Sequence, residues 1–212
     1  MLINASSRQK YIFIANTKTA STSIENILIN YSSISIKSPP ALKHMGYKNI
    51  SSNFNFLFSR PNMSIDSFYK FGVIREPVDW LVSWFNYRSR EQLADPQHRN
   101  HKNYTGNLDF DGFIEMITRE NRIKPQSNLF LDHKGNNAMD FIIKYENLHD
   151  DFNFVSKKLG LDLELPHKNR STEKRMNSEK VLSSTMDKIR KFYAIDYELI
   201  ESISKKNELV MN

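Results

Sequence analysis

The chain has 212 residues, 39% of them hydrophobic and 12% aromatic, enough apolar material for one folded domain and too much for a disordered chain. Its net charge of +6 favours an anionic partner, whether nucleotide, nucleic acid, acidic lipid or acidic glycan. It contains no cysteine, which excludes disulfides, thiolate metal sites and thiol nucleophiles.

The first residues, Met1-Leu2-Ile3-Asn4-Ala5-Ser6-Ser7, lack a basic segment followed by an apolar one and make a poor signal peptide. No apolar run approaches the roughly 18–20 residues of a membrane span. A soluble, cytoplasmic chain with a single domain over residues 1–212 is the expectation. Tyr11-Ile12-Phe13-Ile14-Ala15 has the short apolar, β-prone character of a buried parallel strand. A polar small-residue stretch, Asn16 to Ser23, follows it. Ile24, Ile27, Leu28 and Tyr31 then recur at helical spacing, and Thr22 with Glu25 matches a capping box.

Asn53-Phe54-Asn55-Phe56-Leu57-Phe58 alternates polar and aromatic residues and is read as an edge strand. The strand–turn–helix pattern recurs at Tyr69 to Ile74, with Arg75-Glu76 as the turn, Pro77 at a first helical position, and Val78, Leu81, Val82 and Phe85 as an apolar stripe. Arg88 to Asn107 is polar and irregular. Phe110, Phe113, Ile114 and Ile117 mark an amphipathic helix, Met139 to Tyr145 a third strand, and Leu148 to Leu159 the helix after it. Leu182, Met186, Ile189 and Tyr193 mark a last helix. Strands alternating with helices predict an α/β fold with a central, mostly parallel sheet flanked by helices.

The loop Lys18-Thr19-Ala20-Ser21-Thr22-Ser23 sits where a strand hands over to a helix. The first N–H groups of a helix have no internal partners, and the helix dipole adds partial positive charge there. Small side chains let an anion approach those amides, hydroxyls add donors, and a lysine adds a full charge. A plain N-cap has the same composition, so the loop alone leaves both readings open. The Walker pattern GxxxxGK followed by Ser or Thr is absent, which disfavours an ordinary ATP or GTP site. Arg75, just after a strand, and Ser83, eight residues later on a polar stripe with Asp79 and Asn86, supply a second group of anion donors.

Two segments carry a family resemblance. Ile14-Ala15-Asn16-Thr17-Lys18-Thr19-Ala20-Ser21-Thr22-Ser23 resembles the 5′-phosphosulfate loop of sulfotransferases that use 3′-phosphoadenosine-5′-phosphosulfate (PAPS), whose carbohydrate branch typically reads P-K-T-A-G-T-S. Phe71-Gly72-Val73-Ile74-Arg75-Glu76-Pro77-Val78-Asp79-Trp80-Leu81-Val82-Ser83 is similar to that family's 3′-phosphate segment, V-R-D/N-P-x-x-R-x-x-S. Lys43-His44, Pro125-Gln126-Ser127, Phe141 to Leu148 and Leu165 to Ser171 match further, in family order. Thr17 departs from the usual proline, and Ser21 from the usual glycine, so position 21 should not need a left-handed backbone.

The resemblance implies the sulfotransferase variant of the P-loop NTPase fold, with PAPS as donor and no metal. It implies that Lys18 binds the 5′-phosphate and neutralises the leaving oxygen, and that Thr19, Ala20, Ser21, Thr22 and Ser23 hold that phosphate. Arg75 and Ser83 would hold the 3′-phosphate, while Tyr145 and the 169–174 stretch, with Ser171 and Lys174, approach the adenine. His44 takes the place of the catalytic base, and the acceptor is a hydroxyl of a glycan or small molecule. The oligomeric state is not readable. Two rival readings are a P-loop nucleoside or nucleotide kinase and a basic nucleic-acid-binding protein, although no nucleic-acid module is recognisable.

Overall fold

A computed structural model describes residues 1–166 and 175–211. The strands are β1 (Leu2–Asn4), β2 (Tyr11–Ile14), β3 (Ile34–Ser35), β4 (Tyr69–Ile74) and β5 (Phe141–Lys144). The helices, in chain order, are α1 (Ser21–Leu28), α2 (Pro40–Lys43), α3 (Tyr47–Asn53), α4 (Asn55–Phe58) and α5 (Pro77–Arg88). They continue with α6 (Phe110–Arg119), α7 (Leu148–Lys158), α8 (Ser183–Phe192) and α9 (Ala194–Met211). These elements group into two compact units, one of Met1–Arg75, Gln126–His167 and Leu199–Asn212, the other of Glu76–Pro125 and Lys168–Glu198.

The first unit is built on a five-stranded sheet of order β3-β1-β2-β4-β5. β2, β4 and β5 run parallel, with Phe13 opposite Phe71 and Phe71 opposite Phe141. β1 adds an antiparallel edge to β2 and pairs β3 on its other side. That edge is absent from the sequence-based expectation. Leu2 and Ile3 are too few to show a period, and only pairing on both sides buries them.

Successive strand residues point to opposite faces, so two cores form. Tyr11, Phe13, Phe71, Val73, Phe141 and Ile143 pack with Ile24 and Leu28 of α1 and with Phe152 and Val155 of α7. Ile12, Ile14, Ile74 and Ile142 face the other way, against Ile50 of α3 and Leu199 and Ile203 of α9. Tyr11, Ile12, Phe13 and Ile14 are all fully buried, as expected of a strand covered on both faces. Gly72 is needed at the centre of β4. A Cβ there would lie 2.5 Å from the Phe130 ring and 3.1 Å from the Ile14 carbonyl.

Asn53 ends α3 and residues 55–58 form α4, with Phe54 as the turn between them, which corrects the edge-strand expectation. Phe54, Leu57 and Phe58 join Ile50 in the second core at i, i+4, i+7 and i+8, while Phe56 is 63% exposed. The alternation of phenylalanines is a coincidence of two helical turns. Phe68 meets Phe58 edge to face at 5.4 Å, which holds this segment against the sheet.

The second unit packs α5, α6 and α8 around Trp80, Leu81, Phe85, Phe113, Ile117, Ile189 and Tyr193. Pro77 opens α5 at the expected position, and the Glu76 carboxylate accepts from the Asp79 N–H at 2.8 Å. Asp109 caps α6 by accepting from the Gly112 N–H at 2.8 Å. The polar 88–107 stretch contains short 3₁₀ turns at Glu91–Leu93 and His101–Asn103.

Candidate active site

The loop between β2 and α1 is shaped by one carbonyl. Thr19 Oγ1 and Ser21 Oγ both donate to the Asn16 carbonyl, at 3.1 and 2.7 Å. Both residues are buried, so their hydroxyl protons are committed to the loop and their N–H groups are what remains for an anion. Lys18 (φ 61°) and Ala20 (φ 56°) take left-handed backbone, costly for residues with a Cβ, while Ser21 begins the helix. The strained position is thus one residue ahead of the serine that replaces the family's glycine. Left-handed residues alternating with ordinary ones turn successive N–H groups toward one concave side, the geometry of an anion nest.

The first turn of α1 is uncapped by any side chain, and Ser23 and Ile24 reach back to the Ala20 carbonyl at 2.9 and 3.3 Å. The N–H groups of Ser21 and Thr22 have no acceptor among the described residues. The expected Thr22–Glu25 capping box does not form. Glu25 is buried and turned away, accepting from the Met1 nitrogen at 2.7 Å and from Lys43 Nζ at 2.9 Å. A carboxylate in that environment is drawn to the ammonium groups rather than to a backbone N–H.

Lys43 therefore fixes the end of α2 to α1, and the next residue fixes it to the loop. His44 Nδ1 lies 2.7 Å from the Ala15 carbonyl. A carbonyl only accepts, so Nδ1 carries the proton and Nε2 is left as the basic nitrogen. Burial lowers the pKa of His44 below the ordinary 6.5, opposed by the Ala15 hydrogen bond and reinforced by the Lys43 charge. The imidazole is thereby kept neutral at physiological pH, oriented, and basic on its free side.

Arg75 follows β4 and donates from Nη1 to the Lys18 carbonyl at 3.3 Å, while its guanidinium lies 4.2 Å from the centre of the Tyr145 ring. The face of Tyr145 toward Arg75 is therefore a prop for the guanidinium. The main chain of Arg75 is gripped from the other side by Gln126, a residue to which sequence reasoning assigned no role. Gln126 Oε1 accepts from the Arg75 N–H at 3.1 Å and from Asn16 Nδ2 at 2.9 Å, and Nε2 donates to the Arg75 carbonyl at 2.7 Å. Asn16 Nδ2 also donates to the Val73 carbonyl at 3.1 Å, and Asn16 Oδ1 accepts the Thr17 N–H at 2.7 Å. Both amide side chains are about 1% exposed.

One buried network thus joins the Lys18 loop to the Arg75 segment. Pro125-Gln126-Ser127 was visible as a family-like motif, but nothing local separates such a glutamine from a surface one. The first unit brings together Lys18, Thr19, Ala20, Ser21, Thr22, Ser23, His44, Arg75 and Tyr145 of the expected site residues. Ser83 lies in the second unit, half-buried on α5. Its stripe neighbour Asn86 holds the main chain of Met176, donating to its carbonyl and accepting from its N–H, each at 2.9 Å. Ser171, Lys174 and the rest of 167–174 lie outside the described residues.

Among the described residues no three His, Asp or Glu side chains stand together in a way that would hold a metal ion. No described helix is long and apolar enough to cross a membrane. No curated protein and no solved structure matches the chain. The model of the sulfotransferase family matches residues 3–203, a span that contains the strained Lys18 loop, His44 and the Arg75 segment. With that span covering nearly all of an α/β chain whose parallel strands end at these residues, the protein belongs to the sulfotransferase family.

Proposed function

We propose that the chain transfers the sulfuryl group of PAPS to a hydroxyl, in the first instance of a carbohydrate, by in-line displacement. The observation that carries this reading is the hydrogen bond that seats His44 on the Ala15 carbonyl just after β2, beside a strained loop whose Ser21 and Thr22 N–H groups have no acceptor among the described residues. Those amides and the Lys18 charge suit a 5′-phosphate, and the guanidinium of Arg75 suits a 3′-phosphate. Ser83 is given its part in 3′-phosphate binding from the motif alone. Thr19 and Ser21 serve the loop through their hydroxyls and the anion through their backbone.

In this scheme His44 Nε2 takes the acceptor's hydroxyl proton as the new O–S bond forms. The S–O bond to the bridging oxygen breaks, and 3′-phosphoadenosine-5′-phosphate (PAP) leaves with the negative charge. Lys18 and the start of α1 stabilise that charge. The acid–base contribution of such a histidine is roughly 10²–10⁴ in rate.

The test is transfer of radiolabelled sulfate from PAPS to a panel of saccharides and small alcohols, with labelled ATP run in parallel. Transfer from PAPS, lost in Lys18→Ala, is expected. Phosphoryl transfer from ATP with none from PAPS would replace this reading by the kinase one.

A further inference from the structure

Glu25 has no part in the scheme above, and its burial needs a reason. It lies on α1 one turn beyond Thr22 and is 2% exposed. A buried carboxylate is costly by itself, and its charge opposes an anion at the start of that helix. Two groups answer it. Oε1 accepts from the Met1 nitrogen at 2.7 Å, and Oε2 accepts from Lys43 Nζ at 2.9 Å. Lys43 Nζ also donates to Thr22 Oγ1 at 3.4 Å, so the ammonium sits against the first turn of α1.

Lys43 ends α2, and His44 is the next residue. α2 is four residues long, and Pro40, Ala41 and Leu42 are exposed. Neither helical hydrogen bonding nor burial of those residues settles where so short a turn lies. Three successive residues after them are tied in three directions. Lys43 reaches Glu25 on α1, the His44 ring lies on the Ala15 carbonyl after β2, and Met45 is buried with Ile50 of α3. The Lys43 and Glu25 charges both reach His44, Lys43 lowering its pKa and Glu25 raising it. The pair therefore stands beside the ring as well as beside the loop.

We propose that Glu25 is a positioning residue: through Lys43 it seats the His44 imidazole on the Ala15 carbonyl, with Nδ1–H inward and Nε2 free. α1 supplies the fixed point, since Ile24 and Leu28 hold it in the first core. Lys43 is the arm between that helix and the turn. A single hydrogen bond from His44 to Ala15, without the arm, would compete with water at the end of an exposed turn. The service of the ring as base rests on the sulfuryl-transfer reading, and its seating does not.

The test reads the His44 tautomer by long-range proton–nitrogen-15 NMR of the intact protein above neutral pH, in wild type, Lys43→Met and Glu25→Gln. Lys43→Met removes the arm and leaves Glu25 its Met1 partner. Glu25→Gln keeps the shape but loses the charge that holds Lys43 and one of the two acceptor oxygens. Wild type should show the Nδ1–H form. Free imidazole favours the Nε2–H form, so a substantial share of the His44 signal should move to it in both variants. His101, whose Nδ1 lies 2.9 Å from the Leu93 carbonyl in the other unit, should keep its signal as an internal control. A wild-type His44 signal in either variant overturns the proposal. So does a change that reaches His101 as well, which would mark a general loosening of the fold.

Sulfate transfer gives a second readout. With acceptor saturating, Lys43→Met should lower kcat about 10–100-fold, the cost of a misplaced catalytic group. In a His44→Ala background it should lower kcat no further, because the arm acts through that ring. Equal losses in the two backgrounds overturn the proposal. Absence of transfer from PAPS in the wild type overturns the sulfuryl-transfer reading instead, and the tautomer then decides the role of Glu25.

Discussion

Replacing Gln126 tests whether the buried network positions Arg75. Among the described residues Gln126→Ala removes three hydrogen bonds, two to the Arg75 main chain and one from Asn16, from a side chain that is about 1% exposed. At about 1 kcal/mol each, the loss in unfolding free energy should be about 3 kcal/mol, read from urea unfolding. Binding separates a positioning role from a structural one. If Gln126 holds Arg75 for the 3′-phosphate, calorimetric affinity for PAP should fall about tenfold, and affinity for adenosine 5′-phosphate, which lacks that group, should hardly change.

Gln126→Glu sharpens the test. The new carboxylate still accepts from the Arg75 N–H and from Asn16, but it presents an oxygen to the Arg75 carbonyl where the amide donated at 2.7 Å. Protonation of that carboxyl restores a donor, so PAP affinity relative to wild type should recover as the pH falls. Wild-type PAP affinity in Gln126→Ala, or an equal loss for both nucleotides, would refute the positioning argument.

Arg75→Ala should raise the KM for PAPS by about 10–100-fold, the worth of charge-assisted hydrogen bonds, and Ser83→Ala by less than about tenfold, with initial rates as the measure. His44→Ala should lower kcat by roughly 10²–10⁴ with acceptor saturating, and full rate in that variant would remove His44 as base. In the wild type the acid limb of the rate profile should have its midpoint below 6.5, because burial lowers the His44 pKa. The same shift makes His44 favour the folded state above pH 6.5, an advantage lost as the pH falls through the lower folded value. Comparison with His44→Gln by urea unfolding across that range checks the sign. Gly72→Ala should destabilise the fold by about 2 kcal/mol, since the new methyl meets the Phe130 ring at 2.5 Å, and an unchanged unfolding midpoint would show that the ring yields freely.

The elements with a clear apolar period were legible in the chain. β2, β4 and β5, and the helices after Pro77, Asp109 and Asn147, fall where the pattern of buried residues places them. Residues 53–58, β1 and β3 were misread or missed for a related reason. Residues 53–58 satisfy two periods at once, and only the presence of a core beneath Phe54, Leu57 and Phe58 selects the helix. β1 and β3 are three and two residues long, below any period, and exist through pairing with one another and with β2.

By itself the sequence determined the α/β class, the family, and the residue types of the candidate site, because those depend on local spacing along the chain. Tertiary structure decided how those residues are used. It turned the Thr19 and Ser21 hydroxyls onto the Asn16 carbonyl, drew Glu25 to Lys43, and fixed the His44 tautomer through the Ala15 carbonyl. It also joined Gln126 to Arg75, 51 residues apart. A hydrogen bond or an unmet charge is a property of two groups in space. No spacing along the chain records which group a buried donor will find.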